Sequence, residues 1–451
     1  MIVMKFGGTS VQDAAAMRNV SQIVQTERGR EPLVVVSACA GVTNALLSVA
    51  RGAVGGGGAK ALEQVEALRT LHRKIAHDLF KGEVLFSVQA QLDALIDDLR
   101  DLVKSIAILG ELTNRSLDTF ASFGERLSSL LLYHHFVQTM GKVVLLDVRE
   151  VMITDDSFTQ AAPMEKEIAE RSEQLIAPRL KGGEVVLTQG FIGATREGIT
   201  TTLGRGGSDY SAAHLGSALH AEEIQIWTDV DGVLSCDPRL VPSSKLLETL
   251  SFQEASELAY FGAKVLHPST IVPAIQKNIP VRVLNSKNPK GAGTTIVRDA
   301  QIRASRQVKA IACKTGISMM NIRSTRMLLM PGYLARVFEV FSRYGMSVDV
   351  IATSEVSISL TVDSLENIDG IVAALKEFAD VEVRNNMATI CVVGDGLGSA
   401  RDVPARVLAT LDHAEVEVSI LSLGASRVNI SIVVSAADVK KAVSSLHEEF
   451  I

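Results

Sequence analysis

Three glycine-rich stretches hold the charged residues of this chain that are placed to do chemistry. Lys5 stands just before Gly7-Gly8-Thr9-Ser10, and Lys264 lies within Phe261-Gly-Ala-Lys-Val-Leu-His-Pro268. Arg205 and Asp209 sit inside Leu203-Gly-Arg-Gly-Gly-Ser-Asp209. Glycine lets a backbone approach a ligand closely and adopt conformations that a Cβ forbids. A helix opening at Gly207–Ser208 would direct free amides and the positive end of its dipole at an anion. Arg205 adds a planar fork suited to carboxylate or phosphate. Phosphoryl transfer needs amides and fixed cations around one point, because little covalent work remains once the partners are aligned. Asp209 is the odd member, a carboxylate where its neighbours attract anions. Taken alone, the stretch also reads as a plain glycine loop capped by Ser208, with Asp209 complementing the helix dipole.

The elements that must position these residues follow a repeated pattern of strand, small-residue loop and helix. Ile2–Phe6, Leu33–Ser37, Val185–Leu187, Ile224–Thr228 and Pro280–Leu284 are short apolar runs of the buried parallel-strand type. Asp13–Thr26 and Ser211–Leu219 have helical character, and nearly everything from Lys60 to Met140 is helical in composition. That alternation predicts an α/β fold with a mainly parallel sheet between helices, whose ligands bind at the carboxyl ends of the strands. Asp229-Val-Asp231-Gly232 carries an Asp-Gly turn signal and reads as a tight hairpin. The polar segment 298–307 reads as a linker.

Beyond it the chain repeats itself. Ala335-Arg-Val-Phe338 recurs as Ala405-Arg-Val-Leu408, and Ser347-Val-Asp349 aligns with Glu417-Val-Ser419. Val356-Ser-Ile-Ser-Leu360 then aligns with Val428-Asn-Ile-Ser-Ile432, displaced by two residues. Each copy reads as a βαββαβ module. Neither contains a catalytic constellation, so the pair is expected to sense a ligand.

Composition removes several classes. A net charge of −6 over 451 residues argues against a nucleic-acid surface. No apolar run approaches the roughly 18 residues that cross a bilayer, so no membrane association is expected. The four cysteines are scattered without a disulfide or zinc pattern, which fits a cytoplasmic protein. No Walker A, HExxH, GxSxG or protein-kinase signature occurs.

Lys5-Phe-Gly-Gly-Thr-Ser10, Ser37-Ala-Cys-Ala-Gly-Val-Thr43-Asn44, Phe123-Gly-Glu125-Arg126, Leu203–Asp209, Trp227-Thr-Asp229 and Phe261–Pro268 stand in one order. In that order and spacing the chain resembles the aspartate kinases, of the monofunctional lysine-sensitive type. The two repeats resemble that family's paired ACT domains, so the resemblance covers essentially the whole chain. It implies an amino acid kinase fold over residues 1–298, followed by a regulatory region, 299–451. That region would hold two intertwined ferredoxin-like ACT modules, at about 309–384 and 385–451. The reaction it implies is transfer of the ATP γ-phosphoryl group to the β-carboxylate of L-aspartate, giving 4-phospho-L-aspartate. ATP would come with Mg²⁺, with no tightly bound metal or organic cofactor.

Carried over by position, Lys5 would meet the transferring phosphoryl group and Asp209 would hold the cations in place. Ser37, Thr43, Glu125, Arg205 and Ser208 would bind aspartate. Gly7, Gly8, Thr228, Asp229, Arg239 and Lys264 would join Lys5 in binding ATP. Met327, Met330, Gly332, Tyr333, Leu334, Asp349, Ser354 and Glu355 would form the effector site, with Asp349 pairing with the ε-ammonium of lysine. The family pairs ACT modules between chains, which implies a homodimer. The chain ends directly after the second repeat, so a fused homoserine dehydrogenase is not expected. Two alternatives stand beside this reading: an amino acid kinase acting on glutamate, and a catalytically silent ACT sensor. The presence of Lys5, Arg205, Asp209 and Lys264 counts against the second.

Overall fold

The computed structural model describes residues 1–261, 268–298, 307–328, 330–397, 400, 402–423 and 428–451. Lys264 and most of the expected linker lie outside the described residues. In chain order the elements are β1 (Ile2–Phe6), α1 (Ala14–Thr26), β2 (Pro32–Val36), α2 (Val42–Ala53), α3 (Gly58–Leu79), α4 (Gly82–Leu109), α5 (Asn114–Met140), β3 (Val143–Leu146), α6 (Glu165–Leu175), α7 (Ala177–Lys181), β4 (Val185–Gln189), β5 (Ile192–Ala194), β6 (Thr200–Thr202), α8 (Gly207–Ala218) and β7 (Glu223–Thr228). There follow β8 (Thr249–Ser251), α9 (Phe252–Tyr260), α10 (Val272–Gln276), β9 (Val281–Asn285), β10 (Thr294–Val297), β11 (Ala310–Arg323), α11 (Tyr333–Arg343), β12 (Ile351–Thr353), β13 (Ser357–Val362), α12 (Ile368–Lys376), β14 (Asp380–Val393), α13 (Val403–His413), β15 (Ile420–Leu423), β16 (Asn429–Ser435) and α14 (Val439–Phe450). Two compact units divide the chain: Met1–Val233 with Val265–Ala300, and Leu234–Lys264 with Gln301–Ile451.

In the first unit the strands lie in the order β3-β4-β2-β1-β7-β9-β10. All neighbours up to β9 are parallel, and β10 returns antiparallel. Every residue of β1, β2 and β4 is buried, as a sheet covered on both faces requires. Helix α4 buries Val88, Leu92, Ile96, Leu99, Val103 and Ile106. That three-to-four spacing turns one apolar stripe toward the core shared by α2, α3 and α5. The Asp229–Gly232 turn differs from its expected hairpin. β7 is an inner parallel strand between β1 and β9, and Asp231 accepts a hydrogen bond from Asn285 at 2.8 Å instead of closing a turn. A local turn signal yields here to the parallel pairing of the strand before it.

In the second unit, Leu234–Lys264 contributes α9, capped by reciprocal Ser251 and Glu254 hydrogen bonds. The six-stranded sheet of this unit runs β12-β13-β11-β14-β16-β15. The strands of the second βαββαβ copy are completed by the amino-terminal half of β11, which belongs to the first copy's stretch of chain. The amino-terminal half of β11 pairs with the carboxyl-terminal half of β14, from Ala310 opposite Val393 to Thr315 opposite Ala388. The register then shifts around Gly316, whose φ of +77° marks the irregularity, and the other halves pair from Met319 opposite Arg384 onward. The modules are therefore intertwined.

Candidate active site

In the first unit the sheet brings four loops to one edge. Phe6 is in register with Val36 on one side and Trp227 on the other, and Val36 with Gln189. The chain therefore leaves β1, β2, β4 and β7 at neighbouring points. Gly8 permits the first two loops to touch, since a Cβ on it would lie 2.8 Å from the Ala38 carbonyl oxygen. Gly124 does the same for α5, where a Cβ would fall 2.7 Å from that of Ala38. Backbone crowded that closely cannot yield cheaply. Gly8→Ala is expected to lower kcat/KM at least about tenfold by displacing one loop, which steady-state kinetics will read.

These loops and α8 enclose a cavity of about 370 Å³ lined by Lys5, Gly8, Ser37, Thr43, Glu125, Ser208 and Asp209, among others. Lys5, the fourth residue of β1, is 8% exposed and its ammonium lies 2.6 Å from Asp209. Helix α8 explains the carboxylate. Gly206 caps it at a φ of +71°, and Asp209 falls in its first turn, where the helix dipole favours negative charge. Asp209 thereby holds a cation at a helix N-terminus that would otherwise only receive anions.

Glu125, on α5, is buried at 2% exposure. Its Oε1 accepts the Ala38 amide at 3.1 Å, and its Oε2 has no partner among the described residues. Burial pushes its carboxyl up to about 8, against backbone hydrogen bonding that lowers it. A buried carboxylate half-satisfied at a cavity wall is built to receive a cation.

The other expected site residues are placed as follows. Ser37 ends the β2 strand run, donating its amide to Phe6 and accepting the Ser128 hydroxyl at its carbonyl. Thr43 is in the first turn of α2. Ser208 is buried against Gly190. Arg205 is exposed and has no ion-pair partner among the described residues, while its neighbours Gly204 and Gly206 line the cavity. The Gly7 amide donates to the Trp227 carbonyl at 3.0 Å. That bond ties β1 to β7 and leaves the amide role expected of both glycines to Gly8. Thr228 closes β7 and its hydroxyl donates to Asp229, which is exposed. Arg239 belongs to the second unit, gripped in bidentate fashion by Asp237 at 3.0 and 2.6 Å.

Of the effector set, Asp349 is already engaged. Its Oδ1 accepts the Tyr260 hydroxyl, and its Oδ2 accepts the Lys314 ammonium at 3.2 Å. Lys314 also pairs with Asp363 and lies 4.6 Å from the centre of the Tyr260 ring. Gly332 opens α11 at a φ of +81°. Tyr333 is buried edge-on against Phe378, with its hydroxyl unpartnered among the described residues. Met330, Leu334 and Glu355 are exposed, Met327 is half-buried, and the Ser354 hydroxyl closes a turn onto Ser357. Tyr260 and Lys314 were invisible to motif reading, because neither stands in a recognisable pattern and only α9 packing against β11 joins them to Asp349.

Residues 1–285 match the amino acid kinase family, and residues 320–378 and 390–450 match an ACT domain. Fold and site thus define an amino acid kinase with two ACT domains. The chain is 36% identical to the lysine-sensitive aspartokinase 3 of Escherichia coli, over 99% of this chain and 98% of that one. It is 38% identical to the chloroplastic aspartokinase 2 of Arabidopsis thaliana, over 99% and 84%. The crystal structure of E. coli aspartokinase III in complex with aspartate and ADP matches it with a TM-score of 0.83 over 99% of both chains. The same enzyme in complex with lysine and aspartate matches with 0.84. The chain belongs to the aspartokinase family. Among the described residues, no helix is long and apolar enough to cross a membrane.

Proposed function

We propose that this protein transfers the γ-phosphoryl group of ATP to the β-carboxylate of L-aspartate, the first step toward the aspartate-derived amino acids. The observation that carries the reading is one cavity holding both a fixed ammonium, Lys5 on Asp209, and the buried Glu125 carboxylate, one oxygen of which has no partner among the described residues. The first suits a transferring phosphoryl group and the second the α-ammonium of an amino acid. One carboxylate oxygen of the substrate attacks the γ-phosphorus as the bond to the β–γ bridging oxygen breaks and ADP leaves. That nucleophile is ionised at neutral pH, so no base is required. Lys5 neutralises charge on the phosphoryl oxygens, Gly8 offers an amide, and Arg205 and Ser208 bind the substrate's carboxylate end. Thr228 and Asp229 serve the nucleotide. Among the described residues no group of three or more acidic, histidine or cysteine side chains could cage a metal. Mg²⁺ would accompany the nucleotide, as in other phosphoryl transfers. A coupled assay offering aspartate and glutamate side by side tests the substrate: preferential turnover of glutamate would overturn it.

Residues 1–298 carry the chemistry and the ACT pair carries feedback inhibition by lysine, as a homodimer in the cytoplasm. E. coli aspartokinase III has been crystallised with lysine, which supports this effector. An incoming ε-ammonium must replace Lys314 at Asp349, where two cations would otherwise compete for one carboxylate. Lys314→Met is accordingly expected to lower the lysine concentration for half-inhibition by about fivefold or more, and Asp349→Asn to abolish inhibition. Titration of activity with lysine reads both; unchanged inhibition in Asp349→Asn refutes the contact.

A further inference from the structure

We infer that Asp118 is a positioning residue for the aspartate-binding loop, anchoring the chain at Thr202 immediately before Gly204-Arg205-Gly206. Asp118 lies on α5 seven residues before Glu125, two helical turns away on the same face. It is 1% exposed and forms no ion pair among the described residues. Its Oδ2 accepts the amides of Thr159 at 2.9 Å and Thr202 at 3.0 Å, and its Oδ1 accepts the Thr202 hydroxyl at 2.7 Å. Burial leaves its carboxyl raised, outweighing those three donors, which lower it.

A buried carboxylate without a counter-ion is costly, and packing alone would be served better by an apolar residue. What the carboxylate accomplishes is to join two separate segments to one helix. Thr159 adopts a left-handed φ of +74°, and its carbonyl oxygen would lie 3.2 Å from a Cβ on Gly204. The next links are backbone bonds, from Ala161 to the Thr202 carbonyl and from Leu203 to the Phe191 carbonyl, both at 2.9 Å. Beyond Leu203 the chain lines the cavity at Gly204 and Gly206, and the Gly204 carbonyl accepts the Gly207 amide where α8 begins. Helix α5 therefore sets both sides of the amino-acid site: Glu125 reaches the Ala38 loop, and Asp118 fixes the base of the Arg205 loop. The anchoring follows from the geometry alone; which substrate the loop serves rests on the aspartate kinase reading.

Asp118→Ala, Asp118→Asn and Thr202→Val test it. Asparagine can keep the anchor, since its carbonyl can accept both amides while its NH₂ donates to the Thr202 hydroxyl. Asp118→Ala is expected to raise KM for aspartate at least about tenfold, with KM for ATP little changed, and Asp118→Asn to restore most of the loss. Thr202→Val is expected to fall between them. Hydrogen exchange should show the Thr159, Thr202 and 203–206 amides opening at least about tenfold faster in Asp118→Ala, with β1 and β2 unaffected. A wild-type aspartate KM in Asp118→Ala, or equal damage from alanine and asparagine, overturns the proposal. If Asp118→Ala does not fold, an unchanged aspartate KM in Thr202→Val does so. Should the wild type fail to phosphorylate aspartate, the substrate reading falls, and exchange at 202–206 still decides the anchor.

Discussion

Asp209→Asn will lower kcat about 10²–10³-fold while leaving KM for aspartate nearly unchanged. The carboxylate lies 2.6 Å from the Lys5 ammonium, close enough to fix it by charge, and asparagine has the same shape without the charge. A lysine stem is flexible, so an ammonium released from Asp209 samples many positions and meets the phosphoryl group in only a few. The loss therefore appears where charge develops, in the transition state, and not in ground-state binding of aspartate. Arg205→Ala is expected to do the reverse, raising KM for aspartate with a smaller effect on kcat. Arg205 is exposed and without an ion-pair partner among the described residues, so its removal breaks no ion pair among them. Steady-state kinetics with each substrate varied in turn separates the two; an equal loss of kcat in both variants would refute the division of labour.

Glu125 gives the second large effect, and it has a pH signature. In the free enzyme burial holds its carboxyl up at about 8, so below that pH it is mostly protonated and cannot attract an ammonium. KM for aspartate should rise as pH falls through about 8, approaching about tenfold per unit. Turnover at saturation should change less, because the bound ammonium lowers the carboxyl's affinity for its proton. Glu125→Gln should raise KM for aspartate about 10²-fold or more and flatten this pH dependence. Stability moves the opposite way. A carboxyl whose folded value lies above its unfolded 4.5 keeps its proton longer in the folded state, so stability falls as pH rises from 4.5 through 8. Glu125→Gln removes that dependence, and above pH 8 the ligand-free variant should be more stable by up to about 5 kcal/mol. Denaturant titration at pH 6 and pH 9 reads it: a variant less stable than wild type at pH 9 would mean that Glu125 supports the fold as well as the substrate.

The sequence by itself determined the kinase identity, the strands and the loops. Apolar runs such as Ile2–Phe6 and Leu33–Ser37 have only one use in an α/β chain, and glycine clusters after them leave few conformational alternatives. The motifs, three to eight residues long, carry their own spacing, so Lys5, Glu125, Arg205 and Asp209 could be singled out without coordinates. The repeat at 335 and 405 likewise announced two ACT modules, because equal patterns bury equal faces.

Only the tertiary structure decided what those residues are bound to. It set Asp209 on Lys5, assigned the Gly7 amide to Trp227, and left one oxygen of Glu125 open. It placed Lys314 and Tyr260 on Asp349, and it completed the second ACT module with the first half of β11. It grouped residues 234–264 with the second unit, and it revealed Asp118 as the second carboxylate of α5. The physical reason is common to all of these. Secondary structure and motif follow from neighbours along the chain, whereas an ion pair, a free lone pair or a strand exchange depends on groups brought together from tens or hundreds of residues away. Lys5 and Asp209 are each legible alone; that one holds the other is a property of the fold.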